Sequence, residues 1–370
     1  MRAGGCENDL VDDTRAEPLF TGFRATGPLP PRPGVSYVMP VLNEATHLAR
    51  AVAAVLGQDY DGQAEIILAL ATSTDDTDRI AAELAASDER VRLVPNPRDS
   101  IPSGLNLAIQ ASRHPVVIRV DAHSELPDGY TAAAVDALRR TGAGNVGGVM
   151  VARGEGLVQR AIARAYNSPF GLGGGVFHHG ETEQSADSAY LGVFRREVLD
   201  EVGGYDETIW RAEDWELNSR IRQAGYLVLF TPSLRVTYWP RTGLAALSRQ
   251  MYATGVWRGH LTRRNGSAPL RYLPAPIVAL IFAASLVGAL SRALGLLGAR
   301  GSRLANLANA GAGAYLAGIA AVGVAKLGGD KPVDRLLNIA VLAVIHLSWG
   351  TGFCRGYVRG AGATLDRSRV

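Results

Sequence analysis

From Val35 onward, short apolar runs alternate with segments whose apolar residues recur every three or four positions, which predicts strands alternating with helices. Val35-Ser36-Tyr37-Val38-Met39-Pro40-Val41 reads as a buried strand. Asn43 is placed to cap a helix that carries Leu48, Val52, Val55 and Leu56 on one face, with Gly57 just past its end. A strand at 65–70 precedes Ser73-Thr74-Asp75-Asp76, rich in cap residues, and a helix containing Ile80 and Leu84. A third strand, 91–94, leads through Pro95 and Pro97 to a helix near 103–112. The fourth, 116–120, ends on Asp121-Ala122-His123. The alternation predicts an α/β fold with a mostly parallel sheet covered on both faces. Ligands bind beyond the carboxyl ends of such strands, where Pro40, Ser73, Asn96 and Asp121 all fall, so four loops converge on one crevice. Further on, 145–152 reads as a strand, 155–166 as a helix, 170–175 as a glycine-rich loop and 190–194 as a strand. A helix opens at Glu213-Asp214 and runs through Leu217 and Ile221 to Gly225. Strands at 226–230 and 234–238 follow.

After Arg271 the pattern changes kind. Residues 275–291, 304–325 and 336–354 are runs of 17, 22 and 19 residues without a charge. A bilayer core needs about 20 apolar residues per helix, so the second and third read as spans and the first is borderline. Their Gly and Ala content suits close helix packing, and a soluble helical subdomain would expose too much apolar surface. Arg263, Arg264 and Arg271, and then Lys326, Lys331 and Arg335, fit two cytoplasmic flanks. Three full spans would put Arg355, Arg359, Arg367 and Arg369 outside; a re-entrant or interfacial first segment removes that conflict.

The chain is therefore expected to divide into a disordered tail (1–33), a catalytic domain (34–240), an amphipathic membrane-surface linker (241–272), two or three transmembrane helices (273–355) and a basic tail (356–370). The tail carries acidic residues and then a proline-rich stretch with little to bury. It lacks the basic-then-apolar layout of a secretory signal. These features predict a multi-pass protein of the cytoplasmic membrane with its catalytic domain facing the cytoplasm.

Charge narrows the partners. Thirty-eight basic residues are spread along the 370-residue chain and nearly matched by 35 acidic ones, for a net +3. No concentrated basic face is implied, and no nucleic-acid partner is expected. Two cysteines, Cys6 and Cys354, imply neither a disulfide framework nor a cysteine metal site.

Asp121 and His123 stand two apart at a strand end, so both can face one ion and the phosphates it bridges. A carboxylate with an imidazole suits Mn²⁺ or Mg²⁺, and Mn²⁺ accepts nitrogen the more readily. Taken alone, the pair reads as a capping Asp and a surface His; its position at the crevice puts the metal reading level with that one. Together with Pro40-Val41-Leu42-Asn43-Glu44, Ser73-Thr74-Asp75, Ser103-Gly104-Leu105-Asn106 and Glu213-Asp214, in this order between about Val35 and Arg258, it resembles the family 2 glycosyltransferases of GT-A fold. Within them the chain is most similar to the membrane-anchored enzymes of succinoglycan-type exopolysaccharide synthesis. These share Asp-Ala-His in place of Asp-x-Asp, a Ser-Pro-Phe-Gly segment (here 168–171) and C-terminal membrane helices.

The resemblance implies roles by position. Pro40 and Glu44 shape the nucleoside pocket, and Asp121 with His123 holds the diphosphate through a divalent cation. Asp214 is the general base of an inverting transfer from a nucleotide sugar, expected to be a UDP-sugar, to a polyprenyl-diphosphate-linked glycan. Polyprenyl monophosphate as acceptor, or a non-catalytic protein that binds nucleotide sugars in a membrane assembly, are the alternatives. An acidic pair usual before Ser-Thr-Asp is replaced by Leu70-Ala71-Thr72, so base contact falls to Thr72, Ser73 or Asp75. The Gln-x-x-Arg-Trp element of processive relatives is missing, which favours addition of single sugars. Gln250, Trp257 and Arg258 read as part of the amphipathic surface segment, with Trp and Arg at headgroup level, or as contacts to a lipid diphosphate acceptor. Glu213 is a solvated helix-start carboxylate or an acceptor contact. His178 and His179 are an exposed pair or contact metal or acceptor, and Arg153 reaches a phosphate or a surface carboxylate.

Overall fold

In the computed structural model, residues 20–362 and 364 are described, apart from 173–174, 176–179 and 267–268. The elements are β1 (Val35–Val41), α1 (Leu48–Leu56), β2 (Ala64–Leu70), α2 (Thr77–Ser87), β3 (Val91–Pro95), α3 (Ile101–Ala111) and β4 (Val116–Arg119). Next come α4 (Tyr130–Thr141), β5 (Asn145–Ala152), α5 (Leu157–Tyr166), β6 (Gln184–Ser185), β7 (Tyr190–Arg195), α6 (Arg196–Val202), α7 (Glu213–Gln223) and β8 (Val228–Tyr238). Four long helices follow: α8 (Leu244–Asn265), α9 (Pro274–Ala293), α10 (Ala299–Ala325) and α11 (Pro332–Arg359). The strands form one sheet in the order β3-β2-β1-β4-β7-β5-β8-β6. β1 pairs in parallel with β2 and β4, and β7 runs antiparallel to both β4 and β5. The strand order reverses between β1 and β4, and this switch point opens the crevice.

Side-chain parity builds the core. Val35, Tyr37, Met39 and Val41 face α1 and α4, whereas Val38 packs with Ile67, Val117 and the inner faces of α3, α6 and α7. Val116, Ile118 and Val120 belong to the first cluster and Val117 to the second, so Arg119 points to the α7 side.

Several expectations need correction. Asn43 does not cap α1, whose cap residue is His47, with no side-chain capping bond. Its side chain instead accepts from Thr74 N at 2.7 Å, tying two loops together. The two strands expected after residue 226 are one, β8, because the register shift between Gly147 and Val149 lets residues 231–234 bulge while the pairing continues. A Cβ on Gly148 would lie 1.9 Å from Leu234 O, so glycine is required there. In the expected disordered tail, residues 20–33 are held: Arg24 N donates to Gly225 O, Arg195 Nη1 to Gly27 O and Tyr60 OH to Pro33 O. Phe20 and Leu29 pack against the first cluster.

Among the described residues, three helices are long and apolar enough to cross a membrane: 24 residues ending at Ala293, and all of α10 and α11. The first, borderline as a 17-residue run, is extended by a 3₁₀ turn at Leu270–Tyr272 and has the highest mean hydropathy of the three, 2.2, with Ile277, Leu280, Leu286, Val287 and Leu290 exposed. α11 is the inner helix. Segment 241–272, expected to lie on a membrane surface, is chiefly α8 packed along α11. Cβ atoms on Gly255 and Gly259 would meet Trp349 O and Phe353 O at 2.1 and 2.2 Å, and those on Gly352 and Gly356 would meet Tyr252 O and Val256 O at 2.2 and 1.9 Å. Two glycine pairs, each spaced four apart, thus bring the helix backbones into contact. A third cluster, from Met150 and Tyr166 through Leu247 and Met251 to Val341 and Ile345, joins the sheet to these helices.

Candidate active site

A cavity of about 420 Å³ lies across the carboxyl ends of the central strands. Pro40, Ala71, Asn96 and Asp99 line one end, Glu44, Asp121 and His123 the middle, and Glu213, Asp214, Gln250 and Arg258 the end beside α8. Ser73 and Asp75 are not among its lining residues.

Arg119 organises the middle. At 4 % exposure it is buried, and its guanidinium reaches Asp121 (Nε–Oδ1, 3.1 Å), Glu213 (Nη1–Oε1, 3.1 Å) and Asp214. The parity of β4 sends residues 117 and 119 to one face, Asp121 follows two residues past the strand end, and α7 presents its first turn there. Burial pushes the Asp214 carboxyl up, to about 7; Arg119 pulls against this, and Glu213 and Asp121 add to it. Arg119 itself is held protonated by Asp121, Asp214 and Glu213 against the cost of its burial. Glu213, expected as a solvated carboxylate or an acceptor contact, is buried at 7 % exposure and paired to Arg119. It is not solvated.

His123 Nδ1 lies 2.7 Å from Glu44 Oε1. A proton shared there fixes the ring and leaves Nε2 as the lone-pair nitrogen, the arrangement that metal-ligating histidines use. No group of three His, Cys, Asp or Glu able to hold a metal occurs among the described residues. Asp121 and His123 offer two donors, which fits a cation that takes its remaining ligands from diphosphate oxygens and water. Charge fits as well, since one guanidinium faces three carboxylates and a divalent cation would balance the set.

The loops near β2 and β3 are laced together. Asn43 N donates to Ser73 Oγ at 3.1 Å, Glu44 N to Thr77 Oγ1 at 2.8 Å, and Ala45 N to Asp75 Oδ2 at 3.1 Å. Asp75 also accepts from Thr77, and these bonds lower its pKa. Ser73 and Asp75 therefore shape the loop that carries Glu44. Asp99 lines the cavity instead, at φ 51°, with Oδ1 accepting from Thr72 N at 2.8 Å. Sequence reasoning passed over Asp99 and Arg119. A lone Asp between Arg98 and Ser100 carries no signal, but a lone Arg inside an apolar strand does. The Ser103–Asn106 motif also gains a role: Ser100 Oγ accepts from Ser103 N, and Asn106 clamps the loop before α7 through Tyr205 N, Tyr205 O and Glu207.

The membrane-side residues differ most from expectation. Trp257 is 4 % exposed and donates Nε1 to Thr364 O at 2.8 Å, so it does not sit at headgroup level; Ile209, Trp215 and Ala361 pack with it and bury it. Gln250 is likewise buried, bonded to Tyr238 OH and Tyr166 OH. Arg258 reaches the cavity. Arg153 follows β5, its N donating to Tyr238 O at 2.9 Å, and His178 and His179 lie outside the described residues.

Comparison with known proteins fits this geometry. The glycosyl transferase family 2 model matches residues 36–203. The succinoglycan biosynthesis protein ExoA of Rhizobium meliloti (strain 1021) is 31% identical over 324 residues, 86% of this chain and 93% of that protein. The uncharacterized protein y4gI of Sinorhizobium fredii (strain NBRC 101917 / NGR234) is 29% identical over 238 residues, 58% of this chain and 25% of that protein. Among solved structures, the mannosyltransferase PcManGT from Pyrobaculum calidifontis, in complex with GDP-Man and Mn²⁺, superposes with a TM-score of 0.55 at 20% identity. The match covers 91% of this chain and 90% of that one and shows a shared fold.

Proposed function

The chain belongs to the family 2 glycosyltransferases, and from that premise we propose that it transfers a single hexose from a nucleotide sugar to a polyprenyl-diphosphate-linked glycan. The setting is cell-surface polysaccharide synthesis at the cytoplasmic face of the inner membrane, with the catalytic domain in the cytoplasm. The similarity to a succinoglycan biosynthesis protein over most of both chains supports the pathway, and the three long apolar helices support a membrane-bound acceptor.

One observation carries the chemistry: a single buried guanidinium joins Asp121, below the central strands, to Asp214, at the start of α7. In the proposed mechanism the donor diphosphate lies over Asp121 and His123, which would hold the divalent cation, Mn²⁺ or Mg²⁺. When bound, that ion offsets the charge of the departing nucleoside diphosphate. Glu44 orients His123, and Pro40 and Asp99 border the nucleoside. Asp214 takes the proton from the acceptor hydroxyl as the hydroxyl oxygen attacks the anomeric carbon opposite the leaving group, giving inversion. A carboxyl raised by burial is a better base at neutral pH than an ordinary aspartate.

Replacing Asp214 by Asn tests the assignment. Sugar transfer in membranes is expected to fall by about 10²- to 10⁴-fold, the range for loss of a general base, while nucleoside diphosphate binding is kept. Undiminished transfer would remove Asp214 from the reaction.

A further inference from the structure

We propose that Arg258 and Trp215 form an anion subsite for the phosphate of the lipid-linked acceptor, at the end of the cavity beside the apolar helices. The acceptor's identity rests on the function proposed above; the anion does not.

The Arg258 guanidinium stacks 4.7 Å from the centre of the Trp215 ring and 5.1 Å from that of Tyr272. Two aromatic faces hold the plane of the cation and leave its in-plane N–H groups to other partners. Nη1 is buried, yet it has no hydrogen-bond partner among the described residues. The same is true of Trp215 Nε1, in a side chain that is 8 % exposed. Other arginines of this region are occupied: Arg263 donates to Tyr357 O and Val358 O, Arg264 pairs with Asp206, and Arg271 with Asp187.

Two buried donors without acceptors cost stability that a ligand rich in acceptors would restore. A guanidinium with an indole N–H beside it matches phosphate oxygens in charge and in geometry. Both residues line the cavity, and Trp215 directly follows Asp214. Arg258 lies on α8, and Tyr272 closes the turn that leads into α9, the most apolar helix. The subsite therefore sits where the polar cavity meets the foot of a membrane-type helix. A lipid phosphate has that same polarity: charged oxygens beside the base, hydrocarbon beyond.

The test uses the full chain in detergent and titration calorimetry with farnesyl diphosphate and with inorganic pyrophosphate, each in the presence of a saturating nucleoside diphosphate and Mn²⁺. Wild type is expected to bind both probes, farnesyl diphosphate more tightly. Arg258→Met should weaken both at least tenfold, Arg258→Lys less, and Trp215→Phe several-fold, with nucleoside diphosphate affinity unchanged throughout. Unchanged farnesyl diphosphate affinity in the Trp215→Phe and Arg258→Lys variants would overturn the proposal even if Arg258→Met does not fold. So would displacement of either probe by rising nucleoside diphosphate, which would give the phosphate to the donor. If the Arg258-dependent binding stands while no sugar transfer is found, the function proposed above fails and the subsite survives.

Discussion

The two ends of the cavity are held together by different forces. Around β2 and β3 the loops are tied by short polar bonds between neighbouring turns: Asn43 to Thr74, Ala45 to Asp75, Thr72 to Asp99. Around α8 the structure depends on glycine faces pressed against backbone across about a hundred residues of chain, with Gly255 and Gly259 on one helix and Gly352 and Gly356 on the other. The polar end tolerates adjustment, since each bond contributes about 1 kcal/mol. At the helix end, a methyl group has nowhere to go. Arg119 sits between the two and belongs to neither, because it ties the Asp121 loop to α7 by charge.

Breaking that link should have the largest effect. Arg119→Met leaves three carboxylates facing one another, and loss of one partner from a buried ionic set costs about 3–5 kcal/mol. Thermal unfolding of the purified chain measures it. Whatever variant remains folded carries a second signature. Arg119 favours the charged form of Asp214, so its removal raises that carboxyl further above 7, and a base must be deprotonated to act. The acid limb of the pH–rate profile therefore moves to higher pH. An unmoved limb would separate Asp214 from the titrating base.

Next in size is Gly356→Ala. Its Cβ would stand 1.9 Å from Val256 O, so α8 and α11 must separate, at a cost of about 1–3 kcal/mol as for other overpacked sites. The contrast between the two ends predicts where the damage goes. Acceptor-dependent transfer should fall while nucleoside diphosphate affinity stays near that of wild type. Equal loss of both would mean that the ends are one rigid unit.

A smaller effect is expected at the polar end. Asp99→Asn keeps an oxygen for Thr72 N but replaces the second carboxylate oxygen with a donor. Loss of one hydrogen bond to a nucleobase N–H corresponds to about a tenfold drop in nucleoside diphosphate affinity, with melting unchanged. A tenfold drop for UDP or GDP with none for ADP or CDP would identify the base type that it reads.

The same contrast explains what was legible in the sequence. Strand parity, the order of the β/α units and the loops ending in Pro40, Ser73 and Asp121 are local patterns, and the structure follows them. Partners separated in the chain were not legible. Asn43 had the right chemistry for a helix cap, but a better acceptor role waited 31 residues away at Thr74. Trp257 had the composition of a membrane-surface residue, yet it is buried against Ile209, Trp215 and Ala361, partners distant in the chain. Arg119 was visible as an odd residue in an apolar strand, and the carboxylates that justify it come from α7, 94 and 95 residues later.

The smallest effect concerns backbone conformation. Asn43, Asp99 and Ala212 all have positive φ, at 52°, 51° and 66°, beside the cavity. At the polar end the left-handed residues are Asn and Asp, which tolerate it and bond locally. At the α8 end it is alanine, which gains nothing from that conformation and is strained by about 1–2 kcal/mol. Ala212 immediately precedes Glu213 and Asp214 and has no side chain to cap α7, so the strain is held by the contacts of those carboxylates with Arg119. Ala212→Gly removes the strain but adds about 0.5–1 kcal/mol of unfolded-chain freedom, leaving a net gain in stability of about 0–1.5 kcal/mol. If the strained turn aims Asp214, the glycine variant should melt slightly higher and lose a few-fold in kcat, with nucleoside diphosphate affinity unchanged. A rise in melting with kcat intact would show that Arg119 alone positions the base.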